Sequence, residues 1–99
     1  MINIIKKEIN NFIDKYNLTE PILEEIGKNR LGYIWGNKKD FWLYSPSIYI
    51  FFKNGFLSIT ISNMINGNLN HLDIRHNYKN NEDFSNILGN VLDTRRNEG

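Results

Sequence analysis

Cysteine is absent from this chain of 99 residues, which removes disulfides, Cys-ligated zinc and thiol nucleophiles and leaves packing and hydrogen bonds to hold the fold. A reducing, cytoplasmic setting suits such a chain. Alanine is missing too, while Asn, Ile and Lys are abundant, a bias that reads as AT-rich coding and hence a bacterial or phage source. Long apolar stretches are lacking. The longest, Ile48-Tyr49-Ile50-Phe51-Phe52, falls far short of the roughly 20 residues a membrane helix needs, so no membrane partner is expected. Lys6, Lys7 and Glu8 interrupt the N-terminal segment where a signal peptide would continue apolar, and no secretion signal is expected. Excess charge of either sign is also lacking: the formal net charge is +1 with acids and bases interspersed. That gives no field to concentrate a polyanion, and nucleic acid is not expected as a partner.

Local catalytic motifs are missing as well. No P-loop, nucleotide-binding Gly fingerprint, His-Glu-x-x-His helix, EF-hand loop or nucleophile elbow occurs. Neither a cofactor nor a metal site is expected, and the chain is not expected to be an enzyme.

What is present fits one domain over residues 1–99, with 97–99 as a frayed tail. Ile2, Ile5, Ile9, Phe12, Ile13 and Tyr16 recur at helical spacing and predict a first helix from about Asn3 to Tyr16. Thr19-Glu20-Pro21 resembles an N-cap, an acid and a proline in a first turn, with Ile22, Leu23 and Ile26 as a buried edge and Gly27 as terminator, which predicts a short second helix. From Arg30 the period changes to two. Leu31, Tyr33 and Trp35 share one face of a strand, Gly36–Asp40 supplies a polar turn, and Phe41–Tyr44 reads as the next strand. Proline at 46 offers no donor, so a strand restarts near Ser47.

The Asn54-Gly55 dipeptide between alternating apolar runs predicts a hairpin with a two-residue type I′ turn. Its register pairs Lys53 with Phe56, Phe52 with Leu57, Phe51 with Ser58, Ile50 with Ile59, Tyr49 with Thr60 and Ile48 with Ile61. One face is then Ile48, Ile50, Phe52, Leu57, Ile59 and Ile61, and the other is Tyr49, Phe51, Lys53, Phe56, Ser58 and Thr60. Asn63–Asn68 reads as a loop, and Leu69–His76 as a fifth strand with Leu72 and Ile74 inward. Asn80 or Asn81 caps a last helix with Glu82 and Asp83 in its first turn and Phe84, Ile87, Leu88, Val91 and Leu92 inward. The expectation is an α+β domain of two N-terminal helices, a four- or five-stranded mainly antiparallel sheet and a C-terminal helix.

Two groups of residues are candidates for function. Tyr49, Phe51 and Phe56 gather on one hairpin face beside Ser58 and Thr60, with Trp42 and Tyr44 extending it if the strand order is sequential. Left uncovered, this face is a protein-binding surface; covered, it is a second core layer. His71, Asp73 and Arg75 alternate on a strand and would combine a base, an orienting carboxylate and a phosphate-binding cation, although a solvated strand face shows the same pattern. His76 falls on the opposite face from His71, which argues against a two-His metal site.

The first grouping predicts a small intracellular protein-binding module, a bacterial immunity protein that neutralises a cognate toxin by occlusion. Acidic Asp40, Asp73, Glu24 and Glu25 are available for a basic toxin. The alternatives are a small ribonuclease or toxin using His71/Asp73/Arg75, a phage anti-defence protein, or a homodimer pairing its aromatic face or a strand edge.

Overall fold

The computed structural model describes residues 1–35, 47–65 and 68–98. Helix α1 (Ile2–Tyr16) is followed by strands β1 (Ile22–Ile26), β2 (Arg30–Ile34), β3 (Ser47–Lys53), β4 (Phe56–Ile65) and β5 (Asn68–Asn77), and by helix α2 (Asn81–Glu98). The strands form one sheet in the order β1-β2-β3-β4-β5, every neighbouring pair antiparallel. Sequential antiparallel order requires no crossover connection.

Both helices form for reasons readable along the chain. In α1 the apolar stripe Ile5, Ile9, Phe12 and Ile13 is buried, and the helix closes where Asn17 turns left-handed at φ 52°. There the Leu18 N–H reaches the Ile13 carbonyl at 2.9 Å and the Asn17 N–H the Asp14 carbonyl at 3.4 Å, the paired bonds of a Schellman closure. At the start of α2 the Asn80 side chain accepts from the Asp83 N–H at 2.8 Å, while the Asp83 carboxylate accepts from the Lys79 N–H at 2.9 Å. The first bond satisfies a donor the helix itself leaves open, and the second ties the residue ahead of the cap to the first turn.

The helices lie on one face of the sheet. Ile5, Ile9, Phe12 and Ile13 of α1 meet Phe84, Leu88 and Leu92 of α2 over Leu31, Tyr33, Trp35, Ile48, Ile50, Leu57 and Ile59. The expected aliphatic face of the hairpin is therefore core: Ile48, Ile50, Leu57 and Ile59 are buried, with Phe52, Ile61 and Ile74 packed against them. Each fully buried Ile or Leu contributes about 1.5–3 kcal/mol. The exposed Lys6–Glu25 ion pair at 3.1 Å is a small term beside that.

Four expectations are corrected. Residues 22–26 are not a second N-terminal helix but strand β1, so there is one N-terminal helix. Gly27, at φ 66°, reverses the chain into β2 with Ile26 opposite Arg30. Thr19, expected as an N-cap, instead offers its carbonyl to the Trp35 indole N–H at 2.8 Å. Asn63–Ile65 is not loop but the end of β4, pairing with Asn68–Asn70; its Asn-rich composition suggested a loop, yet a ladder's backbone bonds do not depend on side chains. Finally, the hairpin has the expected two-residue loop and register, but only Gly55 takes positive φ, at 74°. That is the signature of a type II turn rather than type I′. The Gly55 carbonyl accepts from the Tyr78 N–H at 2.9 Å, so the turn is docked against the segment that follows β5. The expected strand at Phe41–Tyr44 lies outside the described residues. No helix among the described residues is long and apolar enough to cross a membrane.

Candidate functional site

The sheet face opposite the helices is built by alternation. Cross-strand partners share a face, so one row across all five strands reads Ile26, Arg30, Phe51, Ser58 and Arg75. The next reads Glu24, Gly32, Tyr49, Thr60 and Asp73, and a third Ile22, Ile34, Ser47, Ser62 and His71. Strand order thus merges the two groups of candidates into one surface. Tyr49, Phe51, Phe56, Ser58 and Thr60 lie on it beside His71, Asp73 and Arg75.

Tyr49, Phe51 and Phe56 are partly exposed. Together with Arg30, Ser58, Thr60 and Arg75 they line an open concavity of about 360 Å³. No helix among the described residues packs over it. Trp42 and Tyr44, the expected extensions, lie outside the described residues.

Two residues missed in the sequence shape this surface. Gly32 sits opposite Tyr49, and a Cβ there would lie 2.5 Å from the ring carbon Cε1. The bare glycine lets the tyrosine lie across the neighbouring strand; a glycine at an outward strand position is the signal for such a close approach. Arg30, at the start of β2, brings its guanidinium carbon to 5.3 Å from the centroid of the same ring. This is cation–π distance, and it holds the arginine against the aromatic floor.

The three candidates on β5 do not assemble as a catalytic group. Asp73 accepts from the Thr60 hydroxyl at 2.8 Å, and His71 Nδ1 lies 2.6 Å from Ser62 Oγ. Each therefore bonds its own cross-strand partner, so the carboxylate does not orient the imidazole as a base–acid pair requires. His76 lies opposite Leu57, on the helix side. No cluster of three or more His, Cys, Asp or Glu suited to a metal ion occurs among the described residues.

The acidic pair in β1 is divided between faces. Glu25 turns to the helix side and pairs with Lys6, whereas Glu24 lies in the row of Tyr49. β1 also carries the exposed apolar side chains Ile22, Leu23 and Ile26. No protein family, curated protein or solved structure matches the chain.

Proposed function

We propose that this chain is a protein-binding module that holds its partner on the outer face of the sheet, and that it acts as an immunity protein neutralising a toxin by occlusion. The observation that carries the reading is the gathering of three partly exposed aromatic rings and two arginines in one concavity opposite the helices. Aromatic and arginine side chains dominate the energetics of protein interfaces because they bury large area and hydrogen-bond at the rim. Ser58 and Thr60 supply short hydroxyls beside them, and a rigid sheet loses little freedom on binding. Occlusion asks nothing further of the molecule than such a surface. A toxin's own active site supplies the chemistry, and the module only has to cover it.

The experiment is co-expression with the product of the adjacent gene, read by growth and then by calorimetry on the purified pair. Wild-type protein restores growth and binds. Phe51→Ala weakens binding by roughly 30-fold, the effect of losing a hot-spot side chain worth about 2 kcal/mol, while the thermal midpoint stays within a few degrees. Unfolding of the variant shows instead that Phe51 is core. Binding unaffected by Phe51→Ala places the interface elsewhere.

A further inference from the structure

Arg30 and Arg75 stand at the two sides of the concavity. Neither Arg30 nor Arg75 takes part in an ion pair among the described residues, the two such pairs being Lys6–Glu25 and Lys15–Asp93. Asp73, the acid nearest to Arg75 along β5, is engaged by Thr60. The Arg30 guanidinium carbon lies 5.3 Å from the Tyr49 ring centroid, a cation–π contact that leaves the planar five-donor group able to take a carboxylate.

We infer that the segment seated here is an acidic, extended stretch of the partner protein with carboxylates on either side of an apolar side chain. This rests on the protein-binding reading and adds its chemistry. Arg30 and Arg75 belong to the same row, on strands three steps apart, which at about 4.8 Å per step separates their backbones by roughly 14 Å. Phe51 and Ser58 lie between them, with the Tyr49 and Phe56 rings in the same concavity. In an extended segment, residues four apart project to the same side and are separated by about 13–14 Å. Two acids at that spacing reach the two guanidinium forks, and the residue midway between them falls on the aromatic floor. Guanidinium binds carboxylate bidentately, which fixes register as well as affinity. A nucleic-acid strand fits less well, because Glu24 and Asp73 occupy the adjacent row where a phosphate backbone needs an unbroken cationic track.

The test is an amide chemical-shift titration of the isotope-labelled full chain at low salt. The probes are the peptide acetyl-Gly-Glu-Thr-Phe-Thr-Glu-Gly-amide, its Gln and Lys counterparts at both Glu positions, and a short oligouridylate. The Glu peptide shifts the amides of Arg30, Phe51, Ser58 and Arg75 and binds roughly five- to tenfold more tightly than the Gln peptide, the effect of two partly solvated ion pairs. The Lys peptide binds weakest, and the double variant Arg30→Glu/Arg75→Glu inverts the order. Equal binding of Glu and Gln peptides on this face overturns the acidic partner and leaves the protein-binding surface standing. Binding of oligouridylate at these residues with none by the peptides overturns both. The absence of shifts with every one of the peptides overturns the inference.

Discussion

Tyr33 and Gly32 adjoin in sequence but serve opposite layers, since β2 alternates between the helix side and the outer face. The Tyr33 ring is buried in the core, and its hydroxyl is buried with no hydrogen-bond partner among the described residues. A buried polar atom left unpaired costs about 1–3 kcal/mol, so Tyr33→Phe is expected to leave the domain as stable as wild type or more so by about 1 kcal/mol. Burial, reinforced by the charge of Glu25, also raises the phenol's pKa above its usual value. The protonated phenol is then favoured in the folded state. Its contribution to stability is fully present below the ordinary value near pH 10 and is lost as pH rises through the higher folded value. Thermal melts across this range check both points: Tyr33→Phe matches or exceeds wild type at neutral pH, and its advantage grows above about pH 10. A neutral-pH midpoint several degrees below wild type means that the hydroxyl has a partner after all.

Among the elements, the hairpin of β3 and β4 was legible in the sequence because two unrelated signals agree there. The Asn54-Gly55 turn sets a register, and that register sorts the aliphatic residues onto one face. Turn type was less legible, because strand pairing reports the number of loop residues and not their dihedrals. With φ at 74° and no atom closer than the Tyr78 carbonyl oxygen, 3.7 Å from an added Cβ, Gly55→Ala suffers from backbone strain alone. It is expected to lower stability by about 1 kcal/mol, as is Gly27→Ala, where φ is 66° and nothing lies within 4 Å. Urea titrations read both; an unshifted midpoint rules out the left-handed conformation at that glycine. β1 was misread for a different reason. All five of its residues are exposed, so no buried face imposed alternation on Ile22-Leu23-Glu24-Glu25-Ile26, and the spacing of its apolar residues with two helix-favouring glutamates imitates a helix turn. Its strand state comes from pairing with β2, a non-local term that local propensity does not contain. The site was legible to the same degree. The aromatics followed from the hairpin, whereas Arg30, Gly32 and the merging with His71, Asp73 and Arg75 depend on which strands flank β3 and β4.

For the molecule as a whole, the decisive feature is that a single sheet separates one packed side from one open side, and β4 passes through both in consecutive residues. Ile59 is fully buried beneath the helices, while Ser58 lines the outer concavity opposite Arg75. Placing a carboxylate at Ile59 removes apolar contacts and desolvates a charge among the apolar side chains of the core. The expected loss exceeds about 4 kcal/mol, a large part of the roughly 5–15 kcal/mol that holds a domain of this size. Ile59→Asp is therefore expected to abolish the cooperative thermal transition followed by circular dichroism. Ser58→Asp sets the same carboxylate one residue away, on the other face and across from a guanidinium, and is expected to keep the midpoint within a few degrees. If the two variants melt alike, the outer face is as closed as the core and cannot be the surface on which a partner docks. If they differ as stated, the division between a helix-covered side and a partner-accessible side is a property of the folded protein in solution.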